Sequence, residues 1–163
     1  MKKMLIMAGG TGGHIFPALT IADHCYAQGV AIYWLGSKGG MEERLVRSRY
    51  HLRLLNISGL RGKRKCDLFF APFRITMAII KAMKILRQVR PDVVLGMGGF
   101  VSGPGGVAAR LLRIPLVIHE QNAIAGMTNR WLARVAQETL HAFPGAFPKR
   151  RYSKVVGNPI RQD

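Results

Sequence analysis

Residues 4–17 of this 163-residue chain read MLIMAGGTGGHIFP, and this stretch indicates the fold. Met4–Ala8 has the apolar character of a buried strand, and it runs into four glycines between Gly9 and Gly13. Glycine allows backbone N–H groups to approach an anion closely, and a helix that follows presents its positive end to the same point. The stretch therefore predicts a strand, a phosphate-binding loop and a helix.

A second stretch, residues 92–106, repeats this arrangement with the sequence DVVLGMGGFVSGPGG. Asp92–Leu95 is again strand-like, and glycines follow it at once. Two such loops in one domain favour a ligand that carries a diphosphate, or two separate phosphate ligands.

Composition places the chain among globular proteins with an anionic partner. Its length fits one domain, 1–163, and 48% hydrophobic residues suffice for a core. The formal net charge of +17 indicates nucleic acid, a phospholipid surface or phosphorylated substrates, without choosing among them. Cys25 and Cys66 lack metal-site spacing, and the short apolar run after Lys2 and Lys3 is unlike a signal peptide. A reducing, cytoplasmic environment is expected.

Strand and helix patterns alternate along the chain. The expected helices cover residues 16–28, 41–49, 68–90, 105–113 and 125–136, and the expected strands cover residues 4–8, 30–36, 52–57, 92–95, 116–118 and 138–141. This alternation predicts an α/β fold, a Rossmann-like parallel sheet with helices on both faces. Ligands of such sheets bind beyond the carboxyl ends of the strands, where both glycine loops and residues 119–122 fall.

Familiar nucleotide-site motifs are missing from the sequence. The dinucleotide fingerprint needs a third glycine where Ile15 stands, and no acidic residue ends the second strand near Ser37. The P-loop, nucleophile-elbow and zinc-protease motifs do not occur either. NAD binding and P-loop phosphotransfer are therefore disfavoured.

Two histidines and three polar residues are candidates for chemistry. His14 stands where a helix begins, and the helix dipole there favours a neutral imidazole that accepts a proton from a hydroxyl. A capping or core role for His14 is an equal alternative, and His119 is more typical of a structural histidine. Glu120, Gln121 and Asn122 have the polar reach to hold sugar hydroxyls.

Five motifs in one order resemble the MurG family of bacterial cell-wall glycosyltransferases. They are AGGTGGH at 8–14, ISGLRG at 57–62, GMGGFVSGP at 96–104, HEQN at 119–122 and VGNP at 156–159. The family transfers N-acetylglucosamine from UDP-N-acetylglucosamine to lipid I, which gives lipid II. The resemblance implies the N-terminal half of a GT-B fold, whose C-terminal UDP-sugar-binding domain is missing from this chain.

The resemblance also implies roles for individual residues. Contacts to UDP-N-acetylglucosamine are implied for Thr11, Gly12, Gly13, Asn122 and Arg161. A cradle for the acceptor diphosphate is implied for Gly9, Gly10, Gly98, Gly99, Ser102 and Gly103. His14 and Glu120 are the candidates for removing the proton from the muramoyl C4 hydroxyl, with no metal or cofactor expected. An isolated half is expected to be inactive alone.

The segment at residues 68–90 carries two apolar stripes at helical spacing, one of which suffices for the core. Phe69, Phe73, Met77 and Ile80 form one stripe, and Ile75, Ile79, Met83 and Leu86 form the other. We expect the second stripe to enter a bilayer, with Arg74, Lys81 and the basic loop 61–65 on anionic headgroups. The mid-helix cations argue against spanning, and the family habit implies a peripheral protein on the cytoplasmic face of the bacterial inner membrane. The alternative is a helix packed on both sides.

Two hypotheses from other classes remain open beside the transferase. A basic nucleic-acid-binding module would need cations interleaved with stacking aromatics, whereas the aromatics here stand among aliphatic residues. Nucleic acid is therefore not an expected partner. A phosphoglycan-binding or membrane-docking module without catalysis is the second alternative.

Overall fold

The computed structural model, which describes residues 1–57, 70–147 and 153–160, contains a parallel sheet of seven strands within those ranges. The strands are β1 (Lys3–Ala8), β2 (Ala31–Ser37), β3 (His51–Leu55), β4 (Val93–Gly98), β5 (Leu116–Glu120), β6 (Glu138–His141) and β7 (Ser153–Val155). Their order across the sheet is β3-β2-β1-β4-β5-β6-β7, and each neighbouring pair is parallel. The predicted α/β class and Rossmann-like sheet are confirmed.

Helices cover both faces of this sheet. They are α1 (Gly12–Ala27), α2 (Met41–Val46), α3 (Ala71–Val89), α4 (Ser102–Leu111) and α5 (Met127–Leu132). Alternate residues of β1 point to opposite faces, so Ile6 packs in the core under α1 while Leu5 packs in the core under α3 and α4. Each face of the sheet therefore has its own apolar core.

The order of strands creates a crevice beside β1. β1 pairs with β2 on one side and with β4 on the other. The chain thus continues outward in one direction after β1 and returns to its other side for β4, which is the switch point where open α/β sheets bind ligands. Both glycine loops leave the sheet at this point, because one follows β1 and the other follows β4.

Both glycine-loop helices begin earlier than the sequence predicts. α1 starts at Gly12 instead of residue 16, and α4 starts at Ser102 instead of residue 105. The first amides of a helix have no intrahelical acceptor, so glycines are tolerated in its first turn although they are poor helix formers further in. The ends of both loops are consequently already helical. Strand β7 lies outside the sequence prediction, because three residues without apolar alternation give no signal until they pair with β6.

The predicted membrane stripe of α3 is wrong in part. Leu86 is fully buried, and Ile79 and Met83 pack against the core, because this side of the helix faces the sheet and α4. Ile75 remains exposed. In the other stripe, Phe73, Met77 and Ile80 are exposed, and Phe69 lies outside the described residues. Among the described residues, no helix is both long and apolar enough to cross a membrane.

Candidate functional site

The two glycine loops touch each other at the switch point. A Cβ atom at Gly99 would overlap the carbonyl oxygen of Gly9, so the loops approach this closely only because Gly99 has no side chain. Gly99 also adopts a φ of 84°, which favours glycine. The contact joins the two predicted phosphate loops into one surface.

His14 lies directly over this surface. It occupies the first turn of α1, and its half-buried ring packs against Gly98, where an added Cβ would lie 2.8 Å from Cε1 and Nδ1 of the ring. Nδ1 of His14 lies 3.0 Å from Oε1 of Gln121. His14, at the start of α1, thus lies between the loop after β4 and Gln121, which follows β5.

The start of α1 offers backbone donors beside His14. The amide of His14 donates to the Thr11 carbonyl at 3.1 Å. The amides of Gly12 and Gly13 precede it at the helix start, where they have no intrahelical acceptor. Gly13 and Thr11 are exposed, whereas the Phe16 ring partly fills the space over Gly12, where it would lie 2.9 Å from an added Cβ atom. An anion can therefore reach Gly13 and Thr11 directly.

Glu120 does not fit the role of general base that the sequence left open for it. It is fully buried at the end of β5, and its oxygens already accept four hydrogen bonds. Oε1 accepts from N and Nδ2 of Asn122 at 3.0 and 2.8 Å, and Oε2 accepts from N of Gly126 and Nδ2 of Asn129 at 3.0 and 2.9 Å. This carboxylate organises the 121–126 loop, and its burial and four bonds make it less accessible than the half-buried His14.

Ser102 also differs from its predicted role. Its side chain is fully buried, and Oγ lies 3.1 Å from the Met7 carbonyl and 2.8 Å from the Gly98 carbonyl. The hydroxyl is therefore turned into the fold and ties the end of β4 to β1. Gly10 and Gly103 keep partly open backbones, whereas Gly9 and Gly98 are buried. Asn122 is exposed, although its amide is engaged by Glu120.

Glu42 is a site residue that the sequence analysis missed. It is fully buried below the first glycine loop, where Oε1 accepts from N and Oγ of Ser37, both at 2.6 Å, and Oε2 accepts from N of Gly10 at 3.4 Å. Cβ atoms at Gly9 or Gly36 would strike its side chain. The carboxylate thus supports the loop from beneath. In the sequence, Glu42 is only an acidic residue in the first turn of a short helix, and such residues usually lie at the surface. The sequence therefore gives no sign that it is buried.

His119 is buried in β5 and is neutral at physiological pH. Burial lowers the pKa of its imidazole, and this outweighs the hydrogen bond to the Gly157 carbonyl and the nearby Glu120 carboxylate, which raise the pKa. The sequence-based preference for a structural His119 agrees with this position.

An apolar cleft of about 840 Å³ adjoins the second glycine loop. Helices α3, α4 and α5 border it, and its lining includes Ile75, Phe100, Gly103, Val107 and Trp131. The cleft opens beside the same carboxyl edge of the sheet as the glycine loops. Arg161 and the basic loop 61–65, which the sequence assigns to donor and membrane contacts, lie outside the described residues.

Comparisons with known proteins agree with this geometry. Residues 4–141 match the family described as "Glycosyltransferase family 28 N-terminal domain". The chain belongs to glycosyltransferase family 28. The family assignment and the sheet together confirm the predicted N-terminal half of a GT-B fold and favour a glycosyltransferase over a nucleic-acid-binding module.

Two of the most similar relatives share one name. Two proteins named "UDP-N-acetylglucosamine--N-acetylmuramyl-(pentapeptide) pyrophosphoryl-undecaprenol N-acetylglucosamine transferase" are each 56% identical to this family 28 chain. The one from Marinobacter nauticus is matched over 98% of this chain and 44% of its own length, and the one from Yersinia enterocolitica over 99% and 45%. The crystal structure of Acinetobacter baumannii MurG superposes with a TM-score of 0.86 at 43% identity, covering 99% of this chain and 46% of that one. The chain spans less than half the length of these relatives.

Proposed function

We propose that this chain is the acceptor-binding domain of an enzyme that transfers N-acetylglucosamine from UDP-N-acetylglucosamine to lipid I. The observation that carries the proposal is the position of His14, whose ring lies against Gly98 where the two glycine loops meet. The two glycine loops and the candidate proton acceptor thus share one surface. The names of the family 28 relatives supply the two substrates.

The acceptor diphosphate would bind where the two loops meet. Gly10 and Gly99 offer backbone without side chains there, and Gly103 stands in the first turn of α4, whose positive end favours an anion. The donor would bind between this domain and a C-terminal domain, with Thr11, Gly13 and Asn122 on this side. Their exposure at the same edge of the sheet supports that division.

The reaction needs one proton acceptor close to the acceptor sugar. The imidazole of His14 takes the proton of the muramoyl C4 hydroxyl, and that oxygen forms a bond to the anomeric carbon of N-acetylglucosamine. The bond from this carbon to the UDP phosphate oxygen breaks, UDP leaves with the electron pair, and the configuration inverts. General base catalysis of this type contributes about 10²- to 10⁴-fold to a rate.

A chimera tests the proposal, with this chain replacing the matching N-terminal part of the Marinobacter nauticus relative. We expect it to convert lipid I and UDP-N-acetylglucosamine to lipid II. Changing His14→Ala should lower kcat by about 10²- to 10⁴-fold. It should lower the free energy of unfolding of the 163-residue chain by only about 1–3 kcal/mol, because the buried Gln121 amide loses its His14 partner.

The matched control for this experiment is His24→Ala. His24 is an exposed histidine on the same helix, bonded to Gln28, and its loss should change kcat little. A chimera that is inactive although both of its halves are folded would contradict the proposed function. An active chimera in which both histidine variants turn over equally fast would contradict the role of His14.

We further propose that the outer face of α3 holds the domain at an anionic membrane on the cytoplasmic side. Phe73, Met77 and Ile80 recur at helical spacing and are exposed. Lys81 and Lys84 are exposed beside them, and the chain carries a net charge of +17. Apolar side chains framed by cations are typical of a helix that lies in a membrane interface.

A further inference from the structure

A chain of hydrogen bonds connects Gly157 to His14 through the side chains of His119 and Gln121. Its first link is the bond between His119 and Gly157. Nε2 of the buried His119 lies 2.9 Å from the carbonyl oxygen of Gly157. A carbonyl oxygen only accepts hydrogen bonds, so Nε2 must carry a proton. In the neutral ring of His119 the other nitrogen, Nδ1, is then an acceptor.

The next link is the side chain of Gln121, which is also buried. One end of its amide lies 3.2 Å from the His119 carbonyl oxygen and 3.3 Å from Nδ1 of His119. Both of these atoms accept, so this end must be the NH₂ group. The amide oxygen therefore points to the other side, toward His14. Two independent acceptors fix the same orientation of the amide.

The last link reaches the candidate proton acceptor. Oε1 of Gln121 lies 3.0 Å from Nδ1 of His14 and only accepts, so Nδ1 must donate. We infer that Gln121, oriented by His119, is a positioning residue that holds neutral His14 with its proton on Nδ1 and its lone pair on Nε2. Within the described part of the chain, no residue forms a hydrogen bond to that Nε2.

The assignment names the atom that would accept the proton. The two ring nitrogens are distinct, and the partner of one decides which of them is basic. With Nδ1 committed to Gln121, Nε2 faces away from Gln121 and is the free base. The catalytic role of Nε2 rests on the proposed function. The tautomer of His14 rests on the hydrogen bonds alone.

Nitrogen-15 NMR of the histidine rings in the unmodified 163-residue chain tests the tautomer directly. Two-bond proton–nitrogen correlations above the histidine titration range should show the Nδ1–H form for His14 and the Nε2–H form for His119. His141 is an internal reference for the Nδ1–H form, because its Nδ1 lies 2.7 Å from the Phe143 carbonyl oxygen. An Nε2–H form of His14 would overturn the inference, whatever the activity.

Gln121→Met then tests the positioning role. Methionine has a similar length but no amide, so His14 should lose its fixed tautomer, while Gln28→Met, which removes the exposed partner of His24, should leave His14 unchanged. If Gln121→Met does not fold, the unmodified chain still decides the tautomer.

In the chimera with the Marinobacter relative, Gln121→Met should lower kcat by about 10²-fold, with little change in KM for the donor. An unchanged kcat in an active chimera would overturn the positioning role. An inactive unmodified chimera with the expected tautomer would instead contradict the proposed function, so the two failures are distinguishable.

Discussion

At the scale of single residues, the site depends on the absence of a side chain at Gly99 and on the buried carboxylate of Glu42. Gly99 allows the two loops to touch because it has no side chain to strike the Gly9 backbone. Below them, the buried Glu42 carboxylate accepts from Gly10 and Ser37 and holds the first loop in place. The shape of the surface is therefore set by backbone contacts and one buried carboxylate.

Replacing Gly99 by alanine should separate the two loops. Gly99→Ala meets both an unfavourable φ of 84° and the Gly9 carbonyl oxygen, whereas Gly145→Ala meets the same φ of 84° in open space. The conformational cost is about 1–2 kcal/mol at each position. The clash should cost Gly99→Ala about 1–3 kcal/mol more, measured by urea unfolding. Equal losses for the two variants would mean that the loops are not in close contact.

At the scale of elements, α3 has one apolar side packed in the core and another apolar side exposed. Leu86 and its neighbours complete the core, and the stripe through Phe73, Met77 and Ile80 faces outward. Both stripes are apolar in sequence, so periodicity finds them equally well and cannot rank them. The small buried residues Ala78 and Ala82 explain which side of α3 is packed, because they let the helix approach its neighbours closely on their own side.

Serine substitutions on the two faces of α3 should have opposite consequences. Phe73→Ser with Met77→Ser should weaken sedimentation with anionic phospholipid vesicles at least about tenfold and change the free energy of unfolding little. Ile79→Ser with Met83→Ser should instead lower that free energy by more than about 2 kcal/mol.

The control for vesicle binding is Leu111→Ser, which removes an exposed apolar residue at the end of α4. Sedimentation over a salt series separates the contribution of charge, which salt screens, from that of apolar contact. Vesicle binding that Phe73→Ser with Met77→Ser leaves intact would refute the proposed membrane face.

At the scale of the whole molecule, the segment around Gly157 and Asn158 is hydrogen-bonded to the residues that hold His14. Gly157 accepts a hydrogen bond from His119, and Nδ2 of Asn158 donates to the Gln121 carbonyl at 3.1 Å. Residues far apart in sequence are thereby joined through β5. The stability of the fold and the arrangement around His14 consequently share the same buried histidine.

The stability of the chain should decrease as pH falls below about 6.5, the ordinary pKa of histidine. Burial lowers the pKa of His119 in the folded state, so the unfolded chain binds its proton first as pH falls. This contribution is complete above the unfolded pKa and is lost progressively toward the lower folded pKa. Urea unfolding at a series of pH values measures it.

His119→Gln should flatten this part of the pH dependence, because glutamine does not titrate, while the exposed His24→Gln should retain it. If the unmodified chain and His119→Gln lose stability in parallel over this range, His119 is not its source.

The sequence by itself determined the α/β class, the parallel sheet, both glycine loops and the family, because strand periodicity and glycine clusters are local patterns. It also placed His14 correctly beside the loops. Only the tertiary structure decided that Glu120 and Ser102 are buried and fully bonded, that Glu42 supports the first loop, and which stripe of α3 is exposed. The physical reason is that burial and hydrogen-bond partners depend on residues distant in the chain, such as Asn129 for Glu120 and Met7 for Ser102.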